Sequence, residues 1–145
     1  MHDVTVTRAI DAPPDAVRSA MQDLQPFTKA AGFDQVAVDG DTIHIANQVG
    51  PATIELTLDV VDHPDADLAY DQRDGIFKTM TTAYTVDPSP TGTDVVATTQ
   101  FALDVALVGA VLDATVINRQ RHTELSAQLD WLEDNAPDYP VDSDH

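Results

Sequence analysis

The chain has 145 residues, with 25 acidic and 7 basic side chains, a formal net charge of −18 and no cysteine. This composition excludes a disulfide framework and a cysteine-based zinc site, and it leaves no basic patch for a phosphate backbone. No apolar run reaches the roughly 18 residues of a bilayer span, while 43% hydrophobic content separates the chain from acidic disordered sequences.

The opening MHDVTV has no basic region ahead of an apolar stretch, which predicts no secretory leader. Val4, Val6 and Ile10 alternate with polar residues and predict a strand over residues 3–10. IDAPPDAV follows. Pro13 and Pro14 suit the first turn of a helix, and Asp15 suits its positive end. Val17, Ala20, Met21 and Leu24 carry the helical spacing to about residue 23. Pro26 is expected to stop this helix, with a short second helix over 27–31 ending at Gly32.

The middle of the chain reads as strands. Residues 35–38 and 42–49 flank a turn at Asp39-Gly40-Asp41. Ile54, Leu56, Leu58 and Val60 alternate with Glu55, Thr57 and Asp59, the pattern of a half-buried strand. Leu68, Tyr70 and Gln72 define the next strand, and Asp74-Gly75 marks a hairpin into residues 76–86. Ile76, Met80, Tyr84 and Val86 share one face there. DPSPTGT is a loop, and Val95, Ala97, Thr99, Phe101 and Leu103 form the last strand.

From about 106 to 134 the period becomes helical. Val111, Asn118, Leu125 and Leu132 recur at sevens, with Arg121, Gln128 and Leu129 on the same broad face. Its first part, ALVGAVLDATVI, is apolar nearly all round. Length and pattern predict one domain over 1–135 and an acidic, frayed tail over 136–145.

The acids are spread over every segment. Only two of the basic residues are lysine, and 22 of the 25 acids are aspartate. A folded chain of this mass exposes about 7,000 Å², so the net charges lie roughly 20 Å apart. Screening lengths are about 8 Å at physiological salt and about 3 Å at 1 M. Pairs such as Asp39/Asp41 and Asp65/Asp67 are closer than that mean spacing. Summed repulsion destabilises the compact state at low salt. Adaptation to a salt-rich cytoplasm accounts for the dispersal and the lysine depletion. Binding of a basic partner accounts for neither.

The order is a strand, two short helices, a six-strand meander and a long helix, an α+β layout. IDAPPDAVRSAMQD (10–23), YDQRDGIFKTMTTAYTV (70–86), PTGTDVV (90–96) and RQRHTELSAQLDWLED (119–134) resemble the START-like helix-grip superfamily, also called SRPBCC or polyketide cyclase/dehydrase-like. The resemblance spans residues 3–134. It implies a curved antiparallel sheet of about seven strands gripping the C-terminal helix, with a cavity between them. It also implies a hydrophobic ligand such as a lipid, isoprenoid or polyketide.

No nucleophile motif, glycine-rich phosphate loop or metal-ligand spacing is present, so no catalytic residue, metal or cofactor is expected. The His122-x-Glu124 spacing does not put two ligands on one helical face. Strand parity nominates Ile45, Leu56, Leu58, Tyr70, Lys78, Met80, Tyr84 and Phe101 as cavity lining. The helical stripe nominates Val111, Asn118 and Arg121. Parity places Lys78 inward unless a bulge shifts it outward. Arg121 meets an inward acid, anchors an anionic ligand head, or lies solvated at the rim. Trp131 is expected to seal the helix against the sheet.

The resulting expectation is a cytoplasmic binder or carrier of a small hydrophobic molecule. It acts without nucleic acid or stable membrane insertion, as a monomer or weak homodimer. A cyclase/dehydratase-type enzyme working in the same cavity is the alternative, and a co-chaperone or interaction domain with a filled cavity is another. The charge pattern makes one testable statement: the thermal melting midpoint rises from low to multimolar KCl. A midpoint unchanged or lowered by salt contradicts adaptation to salt.

Overall fold

The computed structural model describes residues 2–49, 52–75, 77–103 and 114–139. Strand β1 (His2–Ile10) buries Val4 and Ile10. Pro13, in extended geometry, precedes α1 (Pro14–Gln22), whose buried stripe is Ala16, Val17, Ala20 and Met21. The next helix, α2 (Leu24–Lys29), starts at once. Pro26 sits inside its first turn rather than ending a helix. The first turn has no intrahelical use for a backbone N–H, so proline is tolerated there.

Strands β2 (Gln35–Asp39), β3 (Thr42–Val49), β4 (Ala52–Val60), β5 (Leu68–Asp74), β6 (Phe77–Ser89) and β7 (Gly92–Leu103) follow as a meander. All pairings are antiparallel, in the order β1-β7-β6-β5-β4-β3-β2. Register shifts interrupt β4–β5 at Thr57/Leu58 and β6–β7 at Phe77/Thr79. Bulges of this kind bend a strand and increase twist, and so curve a sheet. One face of the sheet is apolar and takes the helices.

The long helix is α3 (Ala114–Asn135), about 33 Å in length. It buries Ile117, Arg121, Glu124, Leu125, Gln128, Leu129 and Leu132. The expected start of this helix, with Leu107 and Val111, falls in 104–113, outside the described residues, as does Ile76. Beyond α3 the chain does not leave the body at once. Ala136–Asp138 form a 3-10 turn with Ala136 buried. The Tyr139 ring lies 6.1 Å from that of Trp131, and its hydroxyl donates to Asp23 Oδ2 at 2.8 Å. Residues 140–145 lie outside the described residues.

Trp131 is half-buried and packs on Phe27 of α2, ring centres 6.1 Å apart, as well as on Tyr139. It therefore joins α3 to α2 and the following turn. Phe27 in turn meets Tyr84 of β6 edge-on at 5.1 Å. Arg18 links α1 to the sheet: Nε donates to Asp67 Oδ1 at 2.9 Å, and Nη2 donates to the Val86 carbonyl at 3.2 Å. Asp67 also accepts from the Val86 N–H at 2.7 Å.

The β6–β7 turn tests how tightly the first and last strands close. Gly92 has φ +148°, a region that favours glycine. A Cβ there would stand 2.4 Å from the Ile10 carbonyl oxygen, a backbone atom that cannot turn aside. Gly92→Ala should therefore destabilise the fold by about 2 kcal/mol or more. In thermal unfolding that is a fall of roughly 5–8 °C. An unchanged midpoint would show that the β1 end can retreat.

Candidate functional site

Where α3 crosses the inner face of the sheet, the packing is not uniformly apolar. Strand register sets Thr82 of β6 directly opposite Thr99 of β7, and both are fully buried. Arg121 reaches down from α3 onto this pair. Its Nη2 donates to Thr82 Oγ1 at 3.0 Å and to Thr99 Oγ1 at 3.1 Å. Its Nη1 donates to Glu124 Oε1, one turn further along the same helix. The other Glu124 oxygen accepts from Gln120 Nε2 at 3.2 Å. Arg121 is 6% exposed and Glu124 is 4% exposed. Burial works against the Arg121 charge, but the Glu124 carboxylate holds its pKa above the ordinary value. The Nε atom of Arg121 is buried and has no partner.

Beside this pair lies a cleft of about 20 Å³. Its apolar lining is Phe33, Ile45, Ile54, Leu56, Phe77 and Ile117. Its polar lining is Asn47, Gln120, Arg121 and Glu124. That volume holds about one water molecule. Gly75 helps keep the wall tight: a Cβ there would stand 2.4 Å from Leu56 Cδ2. The cleft is far smaller than the ligand cavity expected from the resemblance. A larger surface groove, about 480 Å³, runs along Val60–Ala69 past Asp62, His63 and Asp67. Polar side chains there are exposed or engaged in the Arg18 contact, so nothing in it is held away from water for a ligand.

A second polar chain runs through the core. Tyr70 and Tyr84 hydroxyls are 2.7 Å apart. Tyr84 donates to Gln128 Oε1, so Tyr70 donates to Tyr84. Gln128 Nε2 then donates to the Phe27 carbonyl at 3.1 Å. Burial raises the pKa of Tyr70, with Arg121 partly opposing it. Burial and the adjacent Tyr70 raise that of Tyr84 further. Neither phenol is poised as a base at neutral pH; each is a hydrogen-bond donor.

The nominated lining residues divide into groups. Ile45, Leu56 and Arg121 line the cleft. Leu58, Tyr70, Met80, Tyr84 and Phe101 are buried but belong to the surrounding core. Lys78 is exposed, a correction to its inward placement. The register shift at Phe77/Thr79 puts Phe77 and Met80 inside and both intervening residues outside. Asn118 is also exposed, beside β1 rather than in the cleft. Sevenfold spacing drifts about 20° per repeat on a straight helix, and Asn118 falls on the flank of the buried stripe. Val111 lies outside the described residues.

Phe33, Asn47, Ile54, Phe77, Ile117, Gln120 and Glu124 were not foreseen as lining. Glu124 carried a signal, since its spacing of three from Arg121 favours an ion pair. Gln120 sits four residues before Glu124, the same kind of signal. Among the described residues no group of three His, Asp or Glu is placed to hold a metal, and no helix is long and apolar enough to cross a membrane.

The tyrosines give a pH-dependent prediction. Folding raises both buried phenol pKa values, so the folded state holds these protons more tightly than the unfolded state. Their contribution to stability is full below about pH 10 and declines as pH rises beyond it. In an alkaline titration Tyr139, partly exposed, should ionise first. The Tyr70 and Tyr84 phenolates should appear only as circular dichroism reports unfolding. Three phenolates in an intact fold would contradict this.

Comparison with known proteins gives a consistent picture of the fold. Protein TTHA0849 from Thermus thermophilus superposes with a TM-score of 0.73 at 19% identity, covering 93% of this chain and 97% of that one. A START superfamily protein from Mycobacterium smegmatis gives 0.70 at 12% identity, covering 94% and 97%. The ZhuI aromatase/cyclase from Streptomyces sp. R1128 gives 0.67 at 18% identity, covering 91% and 93%. At these identities the likeness shows the fold alone. No curated protein matches by sequence. The α+β helix-grip architecture is thus established, and a family profile described as polyketide cyclase/dehydrase and lipid transport matches residues 1–136. The chain belongs to that family.

Proposed function

We propose that this protein binds a small, mostly apolar molecule between the inner face of its sheet and α3, in the cleft beside Arg121. The observation that carries this reading is a buried ion pair at the edge of an apolar cleft, with one guanidinium nitrogen left unpartnered. Burying two charges is unfavourable unless the geometry is excellent, and apolar residues of similar volume are often as stable or more so. A site that breaks this local rule is a candidate for function. An apolar ligand is also common to the two activities in the family's description, cyclisation and lipid transport.

At about 20 Å³ the cleft must widen to admit any such molecule, because sites for drug-sized ligands begin near 300 Å³. Widening means displacing side chains such as Leu56, Ile54 and Phe77. The enzymatic alternative finds less support: the tyrosines are donors with raised pKa values and point into their own chain of hydrogen bonds. An interaction domain finds little apolar surface to use, since Val116 is the one exposed large apolar side chain among the described residues.

The test is native mass spectrometry from concentrated ammonium acetate, with lipid extraction and Nile red titration in parallel. Wild type should retain an apolar adduct or bind the dye, and Leu56→Trp, which fills the cleft, should lose both. Overpacking at Leu56 should lower stability by about 1–3 kcal/mol without unfolding the chain. A bare mass together with no dye binding by wild type would overturn the reading.

A further inference from the structure

The three tyrosines and the single tryptophan are the aromatic side chains that give up an electron most readily, and the chain has no cysteine to compete with them. All four belong to one file of rings, joined through Phe27. Ring centre to ring centre, Tyr139 lies 6.1 Å from Trp131, Trp131 6.1 Å from Phe27, Phe27 5.1 Å from Tyr84, and Tyr84 6.0 Å from Tyr70. The file starts half-buried at Tyr139 and Trp131 and ends in the core. An electron crosses readily between rings in van der Waals contact. Trp131 therefore has one phenol directly on its outer side. Its inner phenols lie beyond Phe27, a ring that is hard to oxidise.

The two sides also differ in where a proton can go. A phenol that loses an electron becomes a strong acid, and a positive charge remains unless a base takes its proton. On the inner side Tyr70 donates to Tyr84, and Tyr84 donates to the amide oxygen of Gln128, which is no base. Both phenols also feel the positive charge of Arg121. A new positive charge there would be buried and unpaired, which is strongly unfavourable. On the outer side the Tyr139 hydroxyl donates to the carboxylate oxygen Oδ2 of Asp23 at 2.8 Å. Asp23 is exposed, so a proton that it takes up passes on to water. Oxidising Tyr139 thus moves a proton along one hydrogen bond and leaves a neutral phenoxyl.

We propose that Tyr139, with Asp23 as its proton acceptor, is the site to which one-electron oxidation of Trp131 migrates, drawing radical damage off the long helix. The oxidant is a small diffusing radical that takes one electron from the half-buried indole, whose N–H proton goes to water. The indolyl radical then takes an electron from Tyr139. The phenol's proton goes to Asp23, and the indole nitrogen recovers a proton from water. Tryptophan is restored, and a phenoxyl radical stands at the surface. This inference rests on the ring contacts and is independent of any ligand between sheet and helix.

The probe is the azide radical, generated by pulse radiolysis at a salt concentration where circular dichroism shows a folded chain. In wild type the indolyl absorption should decay as the phenoxyl absorption rises. The rate should be first-order, unchanged by protein concentration and slower in heavy water. Tyr139→Phe keeps the ring and its packing but should lose the delayed phenoxyl rise, so that the indolyl radical persists. Asp23→Asn should slow the transfer. Peptide mapping after steady irradiation should find oxidation at Tyr139 in wild type and at Trp131 in Tyr139→Phe. An undiminished rise in Tyr139→Phe would overturn the inference by placing the radical on Tyr84 or Tyr70. A rate that grows with protein concentration would overturn it too, because the electron would then pass between molecules. An unchanged rate in Asp23→Asn removes the carboxylate's part. Should a variant fail to fold, wild-type mapping decides: modified Tyr139 supports the inference, and modified Trp131 beside intact Tyr139 defeats it.

Discussion

A guanidinium enclosed by protein needs acceptors to offset its lost hydration, and this requirement organises the ground between sheet and helix. Arg121 obtains them from three elements at once: Glu124 from its own helix, Thr82 from β6 and Thr99 from β7. The arrangement works only in one register. Slipping β6 by one residue against β7 would turn Thr82 to the outer face and break the Thr82–Thr99 pair on which the guanidinium rests. Removing Glu124 alone would leave a buried, unbalanced cation, a loss of about 3–5 kcal/mol. The ion pair thus ties the rotation of α3 about its axis to the strand pairing beneath it.

The Tyr70–Tyr84–Gln128–Phe27 chain does comparable work further along α3. Gln128 lies seven residues after Arg121 on the same stripe and connects two strands to the backbone of α2. Apolar residues between these two polar seams, Leu125 among them, supply the non-directional part of the packing. Directional bonds at two points along a helix leave little freedom for it to slide. They also leave the cleft at the end nearer Ile117 as the place where packing on the sheet side is held mostly by apolar contact, from Ile45, Ile54, Leu56 and Phe77 around Asn47.

Much of this was legible from alternation alone. Parity in a half-buried strand is enforced by the pleat, so Tyr70, Tyr84, Met80 and Phe101 could be assigned to the interior. The α+β order and the long helix followed from the change of period. Lys78 defeated parity because a bulge inserts an uncounted residue, and nothing in FKTM announces it. Asn118 defeated the heptad count because the spacing drifts away from the buried line. Glu124 had a visible partner three residues away, yet such pairs usually lie in solvent. Their burial depends on which helical face meets the sheet. The cleft's small volume was beyond reach, because it is set by how Phe33, Leu56 and Phe77 interlock across elements distant in sequence.

The two polar regimes of this molecule differ in their access to mobile ions. Arg8 with Asp130, Arg18 with Asp67 and Arg73 with Asp59 all sit where counterions can enter and weaken them. The Arg121–Glu124 contact is sealed from that atmosphere. Changes in the ionic medium therefore act on the outer shell and leave the inner pair nearly untouched. The contacts of α3 with Thr82 and Thr99 can then stay constant across environments in which the rest of the protein's electrostatics does not.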